Sequence, residues 1–356
     1  MRQLYKGRGA LSNPPARFVG HTAEAQDDGW YQDEVPDSIA TEIRPEAARS
    51  VISRNDSPDI PFEQSINPYR GCEHGCVYCY ARPSHAYVDL SPGLDFETRL
   101  FYKADAARLL RAELERPGYR CSAIMLGANT DPYQPVEQQL RVTRSILEVL
   151  LEARHPVMVL TKGTLVLRDL DLLREFAALR LASVYVSFTT LDVDLKRRLE
   201  PRAASPQARL RVIAALATAG IPVGVMTAPM IPAINDAELE SLLEAAAQAG
   251  ATRAGYVLLR LPHEIKTLFR DWLAEHYPQR AAHVMSLVQQ SRGGQDNDPR
   301  FGMRMRGSGP WAALLRSRFE LACRRLNLNL NRERAAELST ELFRRPAGGG
   351  QMALPI

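Results

Sequence analysis

Cys72, Cys76 and Cys79 fall within eight residues of one another, in the stretch Asn67-Pro68-Tyr69-Arg70-Gly71-Cys72-Glu73-His74-Gly75-Cys76-Val77-Tyr78-Cys79-Tyr80, and are three of the chain's five cysteines. Three thiols so close cannot all pair as disulfides, and a clustered, odd set in a cysteine-poor chain points to metal. A structural zinc ion normally takes four protein ligands, and His74 or His85 would have to complete the set. An iron–sulfur cluster held by three thiolates instead leaves one iron with an open position, which serves chemistry rather than structure. The spacing admits both.

The pattern Cys-x3-Cys-x2-Cys, with Tyr78 just before the last cysteine, resembles the signature of the radical S-adenosylmethionine (radical SAM) superfamily. That resemblance implies a 4Fe-4S cluster on Cys72, Cys76 and Cys79 and S-adenosylmethionine (SAM) on the unique iron, chelated through its amino and carboxylate groups. It further implies reductive cleavage to a 5′-deoxyadenosyl radical, with an external electron donor of flavodoxin or ferredoxin type. The competing class is a zinc-stabilised nucleic-acid-binding protein without redox chemistry, in which His85 or His74 is a ligand.

The elements that must position these cysteines are legible downstream. At 356 residues and 45% hydrophobic content the chain is long enough for a sizeable α/β core. No run of about 18 apolar residues appears, and the first twenty residues are polar and proline-containing, unlike a signal peptide. A cytoplasmic location is expected, with reduced thiols. Apolar runs at 63–66, 122–127, 157–160, 184–188, 223–226 and 256–259 read as strands. Between them lie helical patterns. One starts near Glu137 and buries Val142, Ile146, Val149, Leu150 and Ala153. A second is capped by Asp169 and buries Leu172, Phe176 and Leu179, and a third runs from Ser205-Pro206 to Gly220. A fourth opens on a capping box of Asn235 and Glu238 and ends at Gly250. Near-continuous apolar strands separated by helices imply a parallel sheet covered on both faces. Six such units agree with the open or partial (β/α)6 barrel that the resemblance implies.

Chemistry on a parallel barrel collects at the carboxyl ends of its strands. The second strand runs into Gly127-Ala128-Asn129-Thr130-Asp131-Pro132-Tyr133-Gln134-Pro135, the third into Thr161-Lys162-Gly163 and the fourth into Ser187-Phe188-Thr189-Thr190. At these ends Gly127 would admit close backbone approach to SAM, Asn129 and Thr130 would bond its amino group, and Lys162 would neutralise its carboxylate with Ser187 adding a hydroxyl. The plainer alternative is an Asn/Asp-stabilised turn with Lys162 in solvent. Tyr133 would line the barrel or fill a turn, and His85 and Tyr87 would pack over the cysteine loop.

Asn-Pro-Tyr-x-Gly-Cys, Thr-Asp-Pro-Tyr-Gln-Pro, Thr-Lys and Leu-Glu-Pro-Arg at 199–202 resemble the spore photoproduct lyase-related branch of that superfamily, over about residues 60–262. The resemblance implies lyase-like chemistry on nucleic acid, but the branch's hydrogen-donating cysteine has no counterpart in Gly127 to Asp131. Cys121 and Cys323 read as apolar fillers, the latter on a helical face with Trp311, Leu314, Leu315, Phe319, Ala322 and Leu326. The expected organisation is an N-terminal arm over 1–60, a radical SAM core over 61–262, an arginine-rich helical extension over 263–345 and a tail over 346–356. Residues 291–345 carry twelve arginines and no lysine against six acids. Arginine of that density favours bidentate contacts to phosphate, hence a nucleic-acid substrate. The other readings are a charge-balanced connection that closes the barrel, and a peptide or small metabolite as substrate.

Overall fold

The computed structural model describes residues 5–19, 38–330 and 338–346. Ten strands run in chain order as β1 (Glu42–Pro45), β2 (Ile52–Arg54), β3 (Gln64–Ile66), β4 (Tyr69–Arg70), β5 (Arg99–Tyr102), β6 (Ile124–Leu126), β7 (Val157–Thr161), β8 (Ala182–Ser187), β9 (Val223–Met230) and β10 (Arg253–Leu258). The helices are α1 (Asp95–Thr98), α2 (Ala106–Glu115), α3 (Glu137–Leu140), α4 (Val142–Glu152), α5 (Leu170–Ala178), α6 (Val193–Leu199), α7 (Pro206–Thr218), α8 (Leu239–Gln248), α9 (Ile265–His276), α10 (Ala281–Gln290) and α11 (Gly309–Arg325).

The main sheet has the order β10-β9-β8-β7-β6-β3-β2. Its six strands from β3 to β10 are parallel, and β2 adds an antiparallel edge beside β3. Parallel pairing follows from composition. Val157 and Val159, Val184 and Val186, and Val223 and Val225 are buried on one face, and Met158, Leu160, Ser183, Tyr185 and Gly224 on the other are partly or fully buried, so both faces need helical crossovers to cover them. The helices do so, α2 packing beside α4, α4 beside α5, and α8 beside both α7 and α11. The outer strands β10 and β2 are not paired with each other, which makes the architecture an open, partial (β/α)6 barrel with a helical C-terminal extension. Residues 302–305 span that gap. Leu258 N donates to Met305 O at 2.9 Å, while Gly302 N and Arg304 Nε both donate to the Asp59 carboxylate at 2.6 Å.

A second, three-stranded sheet, β1-β5-β4, holds the cysteine loop. Strand β4 enters the loop just ahead of Cys72, and β5 pairs antiparallel with it through Tyr69–Tyr102 and Arg70–Phe101. Strand β1 comes from the N-terminal segment in which no periodicity was legible.

Several helical expectations change in detail. The helix expected from Glu137 is two, broken at Arg141, whose φ of +52° ends α3 and starts α4. Asp169 precedes α5 without capping it, and Asn235 makes no cap either; both side chains bond elsewhere in the fold. Ser205 does cap α7, accepting from Ala208 N at 3.2 Å, with Pro206 in the first turn. Leu314 lies outside the core that holds Leu315, Ala322 and Cys323. Among the described residues no helix is long and apolar enough to cross a membrane. Of the expected tail, only Pro346 is among the described residues.

Candidate functional site

The loop after β4 sets the three clustered thiols against the sheet's carboxyl edge, with Cys72 and Cys76 less than a tenth exposed and Cys79 partly buried. Backbone bonds fix its path: Cys72 N to Phe96 O at 2.9 Å, Val77 N to Leu199 O at 3.1 Å, and Cys79 N to Cys76 O at 3.2 Å. A fully buried ion pair lies behind it. Arg82 meets Glu97 at 2.5 Å and also donates to Cys76 O at 2.8 Å. Glu97 in turn accepts from Gly9 N and Ala10 N at 2.9 and 2.8 Å, so the chain's N-terminal segment is strapped across the cysteine loop. The approach is close enough that a Cβ on Gly9 would lie 1.9 Å from Gly75 O. Burial pushes all three thiols up, Cys76 to about 12 with the Glu200 charge adding to the effect.

Beside Cys76 the ends of β7 and β8 build a charged lattice. Lys162 Nζ donates to Ser187 Oγ at 2.5 Å, lies 3.1 Å from Glu200 Oε1, and sits 5.7 Å from the centroid of the Tyr78 ring. Glu200 is fully buried and also accepts from Thr189 Oγ1 at 2.6 Å, from Arg209 and from the Tyr78 hydroxyl. Burial alone would raise its carboxyl; Arg209 and Lys162, aided by the Thr189 and Tyr78 hydroxyls, hold it well below the usual carboxylate range. The Tyr78 phenol goes the other way, raised by burial and by the Cys76 and Glu200 charges.

The turn after β6 is tied to both neighbours. Asp131 accepts from Thr161 Oγ1 and Lys162 N, each at 2.7 Å, and lies 3.3 Å from His74 Nδ1. Asn67 Oδ1 accepts from Asn129 N at 2.8 Å, and Thr130 Oγ1 donates to Tyr69 O at 2.9 Å. Gly127 has φ of +94°, and a Cβ there would lie 2.4 Å from Leu160 O, so glycine is required by packing against the neighbouring strand.

The structure thus brings Tyr78, Lys162 and Ser187 together at Cys76, and sets Gly127, Asn129 and Thr130 along the adjoining turn. Thr130 gives its proton to the scaffold. Tyr133 is buried against Asp169 at 3.1 Å and fills the turn. His85 is buried, with Nε2 within 2.9 Å of Arg99 O and Nδ1 without a hydrogen-bond partner, and its ring packs edge-on against Phe96; Tyr87 is exposed and packs on Phe18. Glu200 and Arg202 do not pair with each other, since Arg202 meets Glu73 at 3.0 Å. Sequence reasoning missed Arg82, Glu97, Thr189 and Arg209, polar residues buried by partners that no local spacing reveals. A cavity of about 550 Å³ lined by Asn55, Ser57, Phe62, Glu63, Ser122 and Ala123 lies at the amino-terminal ends of β3 and β6, away from the cysteines.

The donor set suits a cluster. Three free thiols on one loop would each ligate one iron of a 4Fe-4S cluster and leave the fourth iron open. The family model of the radical SAM superfamily matches residues 66–246. An uncharacterised protein of Mycobacterium tuberculosis is 41% identical over 230 residues, covering 64% of this chain and 68% of that one. An uncharacterised protein of Methanocaldococcus jannaschii is 28% identical over 173 residues, 49% of this chain and 62% of that one. Among solved structures, spore photoproduct lyase complexed with dinucleoside spore photoproduct is similar in fold, with a TM-score of 0.58, 15% identity, and coverage of 80% of this chain and 79% of that one.

Proposed function

This chain belongs to the radical SAM superfamily, whose cofactors are a 4Fe-4S cluster and SAM, and we propose that Cys72, Cys76 and Cys79 hold that cluster in an enzyme acting on a nucleic acid or nucleotide. Bound together, the two cofactors supply a reductively generated 5′-deoxyadenosyl radical for hydrogen abstraction. The observation that carries the reading is the placement of three thiols, two buried and one partly buried, on one loop after the first parallel strand, with Lys162 and Ser187 held beside Cys76.

The chain's own residues then have distinct tasks. Among the described residues Lys162 has one carboxylate partner, Glu200, which it shares with Arg209, so the ammonium keeps donor capacity for the SAM carboxylate. Ser187 and Glu200 hold that ammonium in place, and Tyr78 packs its ring against it. Among the described residues the Asn129 side-chain carbonyl takes no hydrogen bond, which leaves it to accept from the SAM amino group. Gly127 and Thr130 shape the turn that presents it. Burial of Cys72 and Cys76 limits water at that side of the metal edge.

The fold shared with a lyase solved with a dinucleoside ligand supports a nucleic-acid class of substrate. Residues 127–131 hold no cysteine to return hydrogen, so the reaction differs from dimer repair at that step. A flavodoxin- or ferredoxin-like donor would supply the electron, and five cysteines free of disulfides suit the cytoplasm. The test is incubation of reduced, reconstituted enzyme and SAM with deuterated DNA, RNA and nucleotides. Deuterium is expected in 5′-deoxyadenosine with one of these; deuterium from peptides or non-nucleotide metabolites alone would overturn the substrate class.

A further inference from the structure

We propose that Arg260, packed over the Tyr80 ring, is a phosphate seat at the mouth of the sheet, where it binds a nucleotide substrate. The inference rests on the reading above and adds the group by which the substrate is gripped. Arg260 lies two residues beyond the end of β10, on the carboxyl edge. Its guanidinium stands 5.3 Å from the centroid of the Tyr80 ring. Tyr80 directly follows Cys79, and its hydroxyl donates to Ala128 O beyond the end of β6. The guanidinium therefore overhangs the same mouth as the cysteine loop and the turn that carries Asn129.

Arg260 stands at this mouth without a paired anion. Elsewhere in the C-terminal extension Arg270 pairs with Asp296, Arg300 with Asp298, Arg304 with Asp59 and Arg318 with Glu240, at 2.6 to 2.7 Å. Among the described residues Arg260 has no carboxylate within 4 Å. Its Nε is buried without a hydrogen-bond partner, and its Nη1 reaches only the Met305 thioether at 3.7 Å. A half-buried guanidinium whose Nε is shut away without a partner and whose Nη1 meets only a sulfur is costly, and the cost is recovered when a ligand brings the negative charge. Arg292 adds to the local excess, since it donates only to the carbonyls of Leu258, Leu259, Met303 and Arg304. Burial and the Arg304 charge lower the affinity of Arg260 for its proton, against a smaller opposing effect of Tyr80 and Asp59, and burial and the Arg260 charge do the same to Arg292.

The neighbours favour a nucleotide over a bare carboxylate. Tyr80 is 46% exposed and Phe301 57% exposed, and each carries a guanidinium over its ring, Arg304 lying 4.6 Å from the Phe301 centroid. An aromatic ring with a cation near it and solvent at its surface offers stacking to a base, while the fork of Arg260 offers paired donors to a phosphate.

The experiment titrates inorganic pyrophosphate into reconstituted holoenzyme by calorimetry, for wild type, Arg260→Gln and Arg260→Lys. Expected is measurable binding by wild type, a loss of about tenfold or more in Arg260→Gln, and partial recovery in Arg260→Lys. No pyrophosphate binding by wild type, or equal binding by Arg260→Gln, overturns the proposal. Parallel loss of SAM affinity in Arg260→Gln also overturns it, by assigning the guanidinium to the cofactor carboxylate. A short mixed-sequence oligonucleotide and free nucleoside monophosphates, titrated alongside, tell whether the phosphate comes from a strand or a single nucleotide. Formation of 5′-deoxyadenosine is followed separately, so failure of the radical chemistry is distinguishable from failure of the seat.

Discussion

Lys162 Nζ lies 3.1 Å from Glu200 Oε1, and the same buried carboxylate pairs with Arg209 through its other oxygen. One anion thus anchors two cations from the ends of different elements, next to Cys76. Glu200→Gln leaves Arg209 buried without its counter-charge, and breaking a buried pair in this way costs about 3–5 kcal/mol. Chemical denaturation of the apoprotein should show that loss. A midpoint equal to wild type would mean the lattice contributes nothing to stability.

The three loop cysteines should behave as a unit. Cys72→Ala, Cys76→Ala and Cys79→Ala are each expected to abolish the brown chromophore and take iron from about four atoms per chain to near zero after anaerobic reconstitution. Cys121 and Cys323 stand in or against the apolar core, and alanine at either should keep full iron content. Iron and sulfide assays with visible spectra decide the matter; retained cluster in any of the first three variants would contradict the ligand set.

Gly127→Ala tests the strand-end packing. The new Cβ would press on Leu160 O and on Pro132 Cδ at 2.8 Å in a left-handed backbone, a combination expected to cost about 3 kcal/mol or more. Gly118→Ala, with nothing within 4 Å of its Cβ, is the control and should melt within a degree or so of wild type. Equal melting temperatures for the two variants would refute the packing argument.

Stability should fall in mild acid through His155. Its ring is fully buried, 2.7 Å from the Tyr119 hydroxyl, and burial lowers its affinity for a proton to about 4 against an ordinary 6.5. Because the unfolded chain takes up the proton first, this contribution is complete above pH 6.5 and is lost as pH falls toward 4, up to about 3 kcal/mol. His155→Gln should lower stability at neutral pH and flatten the slope between pH 6.5 and 4. An unchanged slope would remove His155 from the account.

Strands and cysteines were legible in the sequence because their signals are local. Val157 to Leu160 and Val184 to Val186 are apolar on both faces, and Ser205-Pro206 with Gly220 marks the two ends of one helix. Asp169 and Asn235 carried the same kind of local signal and were recruited by distant partners instead. Asp169 accepts from Tyr133 and Arg144, and Asn235 donates to Thr189 O and Pro229 O. The arginine-rich segment shows the same limit at larger scale. Arg304 finds Asp59, Arg318 finds Glu240 and Arg292 finds the carbonyls of Leu258 and Leu259 across long stretches of chain, so several cations of a run read as a basic face hold the fold together, while Arg260, outside the run, has no carboxylate partner among the described residues. Spacing reports what neighbours along the chain can do; it does not report which charges meet when the ends of a sheet come together.

The most direct test of the central claim is anaerobic reconstitution followed by reduction with dithionite in the presence of SAM and chromatography for 5′-deoxyadenosine. The account predicts 5′-deoxyadenosine from wild type and none from Cys76→Ala. Stoichiometric zinc in place of iron, with no 5′-deoxyadenosine from wild type, would contradict it.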